Sequence, residues 1–353
     1  MGLSHGVADA AAGFLLGILP HQTSWQQTSL LILLYNLLAF GHQPIAGIVT
    51  DRWQCPRAAV WVGLGCLVLA VLLSQYQPQG AIMLAGIGSA AFHVGGGALA
   101  TLSTPHQTLG AGLFTAPGVV GLAIGGALGI ANDSAQGTLI LLLLSCSGAL
   151  LACKLPTISY SCEIDHPKAF QFPAKNQNPK SQIQNLEFVD RDWLLLVLLS
   201  AIALNSVVWT GFQFLLLGKT SVLVAVAIAA AIGKLGGSIL AEWWGWRRWS
   251  ISALILAIPL LVLGESHLVT LLPGVALLQS TVPVTLTATV CLMPHQPATA
   301  SSLALGLAII VSGILVLGGV SVMLGITGTV IGGVVLTIAA IAWSIREQEQ
   351  IEN

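Results

Sequence analysis

Gly47-Ile-Val-Thr-Asp51-Arg52-Trp-Gln-Cys-Pro-Arg57 lies between two long apolar runs, and this short charged stretch decides the fold. A weaker copy, Gly237-Ser-Ile-Leu-Ala-Glu242-Trp-Trp-Gly245-Trp-Arg247-Arg248, follows another apolar run about 190 residues later. Each copy places an acidic residue and arginines at the end of a hydrophobic run, which predicts an interhelical charge clamp. Two such clamps predict a membrane bundle that is duplicated within one chain.

The composition is that of a membrane protein. The chain of 353 residues is 55% hydrophobic and 7% charged, whereas a soluble domain carries about 25% charged residues. Its net charge of −1 gives no reason to expect a nucleic-acid partner. The six cysteines lack CxxC spacing and are interpreted as buried apolar residues or free thiols. Because nucleotide-binding glycine loops and HExxH are also lacking, we expect no cofactor, no metal and no enzyme.

Runs of roughly 20 apolar residues, the length that crosses a bilayer, predict twelve spans. They cover 3–19, 28–50, 58–76, 80–102, 109–131, 137–155, 193–217, 221–241, 249–264, 267–292, 299–323 and 325–345. The predicted domains are an N-terminal six-helix bundle (1–155), a polar linker (156–192) and a C-terminal six-helix bundle (193–353). The first run contains Asp9 and lacks a basic segment before it, so it is interpreted as a span and not as a cleaved signal.

Basic residues predict the orientation of the bundle, because cytoplasmic loops are enriched in lysine and arginine. With the N-terminus inside, ten of the twelve lie on the cytoplasmic side: Arg52, Arg57, Lys154, Lys168, Lys175, Lys180, Arg191, Arg247, Arg248 and Arg346. Both termini and the linker are therefore expected in the cytoplasm, with the protein in the plasma (inner) membrane of a bacterium.

Two further markers repeat between the halves. The loop Pro105-His106-Gln107 recurs as Pro294-His295-Gln296, and Gln43 stands eight residues before Asp51 as Lys234 stands before Glu242. Matching offsets at independent places indicate parallel repeats about an axis along the membrane normal.

These markers resemble the major facilitator superfamily. The residues that resemble its signature loop between helices two and three are Gly47, Asp51, Arg52 and Arg57, and Ala116-Pro117-Gly118 with Gly121, Gly125 and Gly126 is similar to its antiporter motif. The residues that most resemble the fosmidomycin-resistance branch are His5, Asp9, Gly13, Pro20, Gln43 and Ala91-Phe92-His93. The resemblance implies an all-α polytopic membrane protein with twelve transmembrane helices in two six-helix bundles, the major facilitator fold. It further implies a monomer that exports a solute by proton antiport, with helices one, four, seven and ten around a central cavity.

Polar residues follow one helical face in four spans. Polar groups in hydrocarbon are costly and should face protein or a wet cavity. The faces are His5, Asp9 and Gly13 in the first span, Ser89, His93 and Gly97 in the fourth, Asn205, Trp209 and Gln213 in the seventh, and Thr281, Thr285 and Thr289 with nearby Gln279 in the tenth. We predict that His5, Gln43, Asn205, Trp209, Gln213, Lys234 and Gln279 contact the substrate.

Asp9 and His93 are the predicted proton-coupling residues. Asp9 lies roughly 10 Å into the bilayer at 1.5 Å per residue, so its carboxylate needs a partner or a proton. A structural hydrogen bond is the alternative for Asp9, and a satisfied interhelical histidine is the alternative for His93. Lys234 either attracts an anionic substrate or extends toward the membrane surface. Gln43 either binds substrate or satisfies a backbone carbonyl freed by Pro44.

The charged loop residues are interpreted as gates. Asp51, Arg52, Arg57, Glu242 and Arg247 lie at the predicted cytoplasmic ends of spans, where charged pairs can hold one side of a transporter shut. Simple positive-inside anchoring is the alternative.

The sequence thus predicts a secondary active transporter that moves a small solute by alternating access, driven by protons. Its expected partners are the solute, protons and the lipid bilayer. The alternative, from another class, is a facilitator-fold scaffold or assembly factor for a membrane complex, which the departures from the signature at Gln54 and Trp243 motivate.

Overall fold

The computed structural model describes residues 1–132, 134–152, 187–216 and 218–352, and these ranges form a bundle of helices with no strand among them. Twelve helices, labelled in chain order, are Gly2–Gln22 (α1), Trp25–Arg52 (α2), Pro56–Leu73 (α3), Pro78–Ser103 (α4), Thr108–Ile130 (α5), Gln136–Ala152 (α6), Glu187–Leu215 (α7), Thr220–Trp244 (α8), Trp246–Gly264 (α9), Leu268–Leu292 (α10), Pro297–Leu317 (α11) and Val320–Glu352 (α12). Within the described residues eleven of them contain a segment long and apolar enough to cross a membrane, and α6 is a shorter apolar helix. The predicted all-α membrane fold is confirmed.

Helix α7 begins earlier in the chain than the predicted seventh span. Helix α7 begins at Glu187, so residues 187–192 of the predicted linker are helical. The sequence places two acidic residues, Glu187 and Asp190, at this start, and acidic residues favour the positive end of a helix dipole. The linker residues 156–186 lie outside the described residues. They include four possible metal ligands whose spacing is not that of a recognised metal site: Cys162, Glu163, Asp165 and His166.

Four helices depart locally from regular α-helical hydrogen bonding. Helix α2 widens into a π-helical turn at Leu37–Gly41, just before Pro44, and α11 does the same at Leu303–Leu307. Helix α10 breaks between Gln279 and Val282, ahead of Pro283, and α12 leaves helical geometry at Gly325, whose φ is 67°. Proline lacks the N–H that would continue the helical hydrogen bonds and collides with the preceding turn, which accounts for the breaks in α2 and α10.

Small residues bring α1 and α5 into close contact. A Cβ atom at Gly121 would overlap the carbonyl oxygen of Gly6, one at Gly125 would overlap that of Ala10, and one at Gly129 would overlap that of Phe14. The face formed by Gly121, Gly125 and Gly129 therefore packs against α1, and GxxxGxxxG spacing is typical of such close helix contacts. Helix α3 packs on α4, and α7 packs on α12. Helices α8 and α9 both pack on α10.

The two halves of the chain, α1–α6 and α7–α12, meet mainly along two helix pairs, with further contacts of α4 with α11 and of α5 with α10. Helix α5 packs on α8, and α2 packs on the first turns of α11. Each half also has its own apolar core, one containing Phe92 and Phe114 and the other containing Phe212 and Trp249. Helices α5 and α11 begin on the side of the bundle where α2 and α8 end. The acidic residues at the ends of α2 and α8 therefore lie on the same side as the first turns of α5 and α11.

Candidate functional site

A buried cluster of three titratable side chains lies between α1 and α4. His5 and Asp9 are one helical turn apart on α1, and His93 faces them from α4. The two Nε2 atoms are 2.9 Å apart. Asp9 Oδ2 lies 3.2 Å from His5 Nε2, and Asp9 Oδ1 lies 3.5 Å from His93 Nε2. The three residues are at most 9% exposed. The structure therefore joins three of the predicted site residues into one unit, the His-Asp-His cluster.

Backbone carbonyls fix the orientation of both imidazole rings. His5 Nδ1 lies 2.6 Å from the carbonyl oxygen of Phe114, and His93 Nδ1 lies 2.7 Å from that of Ser89. Since a carbonyl oxygen only accepts, each Nδ1 carries the hydrogen, and each neutral ring then presents a lone pair at Nε2. Two lone pairs 2.9 Å apart beside a carboxylate are mutually repulsive. The cluster is therefore built to hold a positive charge between its three acceptors.

Aromatic rings surround the cluster. The Phe114 ring stacks on His5 with centroids 4.2 Å apart and an interplanar angle of 21°. Phe92 meets both histidines, and the Tyr35 hydroxyl donates to Ser89 Oγ at 3.3 Å. On the α5 side the wall is Gly118, where a Cβ atom would lie 2.8 Å from Asp9 Oδ2. Charges held in such apolar surroundings interact more strongly than they would in water.

Lys234 approaches this cluster from the other half of the chain. Its Nζ lies 3.5 Å from the carbonyl oxygen of Thr115 on α5, three residues before Gly118. The side chain is half-buried between α8 and α5, so it does not extend to the membrane surface in this conformation. A cation of the C-terminal half thus lies against α5, the helix that forms one wall of the cluster at Gly118.

A cavity of about 190 Å³ lies beyond the cluster, between α5, α7 and α8. It is lined by Trp209, Gln213 and, on α5, residues from Val119 to Ile130, and Val119 directly follows Gly118. Asn205, one turn of α7 before Trp209, is 6% exposed. Among the described residues its Oδ1 atom has no hydrogen-bond partner. Three predicted substrate residues thus share one face of α7, and two of them line the cavity.

Two other predicted substrate residues lie elsewhere. Gln43 is fully buried, its amide donates to the Ala39 carbonyl at 2.7 Å, and its Oε1 faces Gly306 of α11. The structure thus favours the alternative that Gln43 satisfies the carbonyl that the helix break frees. Gln279 is 5% exposed and ends the first segment of α10.

Asp51 binds the start of α11 in the opposite half. Its Oδ1 accepts from the Ala298 N–H at 3.0 Å, and its Oδ2 accepts from the Thr299 N–H and hydroxyl at 2.7 Å each. The first N–H groups of a helix have no internal partners and carry partial positive charge, so a carboxylate is the natural ligand. We call this contact the Asp51 clamp.

Glu242 makes the reciprocal contact. Its Oε1 accepts from the Thr108 N–H at 2.7 Å and from the Thr108 hydroxyl at 2.8 Å, at the first turn of α5. The Thr108 hydroxyl also lies 2.7 Å from the carbonyl oxygen of Ser238 on α8, and the Trp246 indole N–H reaches Glu242 Oε1 at 3.3 Å. Each half thus contributes one carboxylate and one helix start, and the second contact is called the Glu242 clamp.

The arginines are not the partners of these acids. Among the described residues, the side-chain ion pairs within 4 Å are only those of the His-Asp-His cluster. Arg247 Nε donates to the Ala342 carbonyl at 3.0 Å within its own half, Arg57 Nη2 is buried, and Arg52 is exposed. The predicted charge clamps are therefore corrected: the acids join the halves through helix N-termini, because backbone N–H groups there need acceptors.

Sequence reasoning missed the residues that complete these contacts. The Phe114 carbonyl and Gly118 hold the cluster, and Thr108 and Thr299 receive the acids. A signal existed for Thr299, which follows Pro297 at the first position of a helix. The Phe114 carbonyl carries no sequence signal, since any residue would supply it.

Comparisons with known proteins identify the fold. No protein-family model matches the sequence, and no curated protein matches it. In structure the chain is similar to FucP, a Major Facilitator Superfamily transporter in the outward conformation, with a TM-score of 0.69, 14% identity and coverage of 98% of this chain and 96% of that one. It is similar to a single-substitution variant of the E. coli fucose:proton symporter FucP, with a TM-score of 0.67, 14% identity and the same coverage. It is similar to the human organic anion transporter MFSD10, with a TM-score of 0.69, 15% identity and coverage of 96% of both chains. The chain therefore has the fold of major facilitator transporters along nearly its whole length.

Proposed function

We propose that the protein is a proton-coupled secondary transporter of a small solute, and that the His-Asp-His cluster is its proton site. The observation that carries this proposal is the pair of Nε2 atoms 2.9 Å apart beside Asp9, with both Nδ1–H groups held by carbonyls. Binding one proton removes the repulsion between the two lone pairs and leaves an imidazolium next to a carboxylate. Losing it restores the repulsion, so the occupancy of this site changes the forces between α1 and α4.

Alternating access is supported by the distribution of contacts along the bundle. The Asp51 and Glu242 clamps close the end at which α2 and α8 finish, and the cavity lies toward the other end. We propose that the closed end is cytoplasmic, with both termini on that side, and that the two six-helix bundles 1–155 and 193–353 rock about a midplane site. FucP, one of the similar structures, is in an outward conformation.

The cavity favours a small neutral or weakly anionic solute. Trp209 and Gln213 offer a ring face and an amide, and Asn205 offers an unpaired oxygen one turn away on the same face. Lys234 supplies a positive charge beside Thr115 of α5, the helix that forms a wall of the cavity. We propose that these four residues contact the solute. The Pro117 motif of α5 and the resemblance to the fosmidomycin-resistance branch favour export by proton antiport, by a monomer in a bacterial inner membrane.

The test is solute-driven proton movement in liposomes that contain a trapped pH dye. Adding solute outside should make the interior more alkaline for an antiporter and more acidic for a symporter. Asp9→Asn keeps the side-chain volume but removes the anion, and we expect it to abolish the pH change. His21→Gln, which alters an exposed histidine bonded to the Ile130 carbonyl, should leave the pH change intact.

A full pH response in Asp9→Asn would contradict the assignment of the cluster. If folded wild-type protein moved no solute of any class and copurified with a membrane complex, the scaffold function would replace the transporter.

A further inference from the structure

The donor atoms of the His-Asp-His cluster form a ligand set for a metal ion. We propose that His5, Asp9 and His93 bind one divalent transition-metal ion of the Zn²⁺ class, in competition with the proton. Two imidazole nitrogens and one carboxylate oxygen converge from two helices, with all ligand atoms within 4.8 Å of one another. The sequence predicted no metal site because the ligands on α1 and the ligand on α4 are far apart in the chain.

The spacing of the donors matches a tetrahedral ion. Zn²⁺ binds nitrogen and carboxylate oxygen at about 2.0–2.2 Å, which places neighbouring ligands about 3.3 Å apart. The observed separations are 2.9 Å between the Nε2 atoms, 3.2 Å from His5 Nε2 to Asp9 Oδ2 and 3.5 Å from His93 Nε2 to Asp9 Oδ1, the other oxygen of the same carboxylate. The three side chains therefore converge closely enough for one ion to bind both Nε2 atoms and one oxygen of the Asp9 carboxylate, once that side chain turns one oxygen toward both nitrogens.

The outer contacts of the histidines are those of metal ligands. A histidine that binds a metal almost always donates its second ring N–H to a carbonyl or carboxylate, which orients the ring. Both histidines do so, His5 to the Phe114 carbonyl at 2.6 Å and His93 to the Ser89 carbonyl at 2.7 Å. Both Nε2 atoms therefore already point toward the position where the ion would bind, and neither ring has to rotate.

Space beside the donors is left open by Gly118. A Cβ atom at that position would lie 2.5 Å from His5 Nε2 and 2.8 Å from Asp9 Oδ2, so only a glycine leaves room there for an ion. Three protein ligands leave a fourth position for water or solute, the arrangement of open Zn²⁺ sites. Imidazole together with carboxylate favours Zn²⁺, Cu²⁺ or Ni²⁺ over Mg²⁺ and Ca²⁺, which prefer oxygen alone.

The charges around the cluster set its pH dependence. The titratable groups facing it are the cluster members themselves, Tyr35 from α2 through Ser89, and Lys234 from α8 beside Thr115. Histidine binds a metal only when Nε2 is unprotonated, so a proton and a metal exclude each other. Metal binding should therefore displace a proton from the cluster, and removing the positive charge of Lys234 should strengthen the binding.

The experiment uses full-length protein in detergent, purified without a polyhistidine tag, and measures direct binding of Zn²⁺ and Co²⁺. Calorimetry should give one Zn²⁺ per chain, with affinity reduced at least about tenfold in His93→Gln and in Asp9→Asn. Lys234→Met should bind more tightly, Gly118→Ala more weakly, and His21→Gln as the wild type does. Bound Co²⁺ should show the visible bands of tetrahedral nitrogen and oxygen ligation without a thiolate charge-transfer band.

Three results would overturn the proposal. They are no stoichiometric binding to wild-type protein, unchanged affinity in the folded double variant His5→Gln/His93→Gln, and a thiolate band that places the ion at Cys291, which lies 3.6 Å from His106. The Co²⁺ spectrum of the wild type decides the ligand set even where a variant fails to fold. Because binding is measured without transport, its outcome is independent of the liposome assay: transport can fail while the metal binds, and the reverse.

Discussion

Breaking the Asp51 clamp should open the end of the bundle that we propose to be cytoplasmic. Asp51→Asn keeps the shape of the side chain but removes its charge and one of its two acceptor oxygens. Of the three hydrogen bonds at 2.7–3.0 Å, the remaining carbonyl oxygen can keep one if it replaces Oδ1 and two if it replaces Oδ2. A hydrogen bond to a charged group contributes about 1.5–3 kcal/mol, and a charge at a helix N-terminus about 0.3–1 kcal/mol.

Asp51 is half-buried, so water competes for these bonds and the lower part of each range applies. The loss is then about 2–4 kcal/mol of preference for the closed conformation. Since about 1.4 kcal/mol corresponds to a factor of ten, the ratio of closed to open molecules should fall about 30-fold to 1,000-fold.

Spin labels can measure this change. With native cysteines replaced, labels at exposed Trp53 and His295 flank the clamp on the two halves, and pulsed dipolar spectroscopy gives the distribution of distances between them. Asp51→Asn should add a longer-distance population, and Thr299→Val, which removes one bond, should add a smaller one. Arg52→Gln is the matched control, because Arg52 is exposed and lies next to the clamp without joining it.

The reasoning would be refuted if the double variant Asp51→Asn/Glu242→Gln kept the wild-type distance distribution. A shift caused by Arg52→Gln but not by Asp51→Asn would instead restore the predicted arginine clamp.

Three shorter predictions test other parts of the bundle. Gly121→Val should overpack the contact between α1 and α5 and lower thermal stability by about 3 kcal/mol, whereas Gly137→Val, with open space around the residue, should have little effect in a melting assay. Gln43→Leu should leave the Ala39 carbonyl unsatisfied and cost about 1–3 kcal/mol of stability, and a weaker solute affinity without loss of stability would contradict this. Trp209→Ala should weaken solute affinity about tenfold or more in a transport assay, and an unchanged affinity would remove α7 from the solute site.

The sequence predicted the bundle and its polar faces well because hydrophobic length and helical spacing are local properties. The i, i+4 spacing of His5 and Asp9 placed them on one face, and the polar face of α4 contained His93. Their meeting at one point could not be predicted, since it depends on how α1 and α4 cross and on a carbonyl of α5.

The two repeated motifs show the same limit. The acids Asp51 and Glu242 and the two Pro-His-Gln loops, 105–107 and 294–296, were recognised separately as markers of duplication. In the structure each loop leads into the helix whose first N–H groups bind the acid from the opposite half. The pairing of each acid with a helix start could not be predicted, because backbone N–H groups are common to nearly all residues. The nearby arginines suggested ion pairs that the structure does not contain among its described residues.

The close contact between α1 and α5 has a mechanical consequence. Where carbonyl oxygens of α1 touch glycines of α5, neither helix can slide or turn without a collision, so the two helices move together as one rigid body. Helix α1 of this rigid body contains His5 and Asp9, and α5 contains the cavity wall from Val119 onward. A tilt that alters the surroundings of Asp9 therefore displaces the solute-facing wall directly.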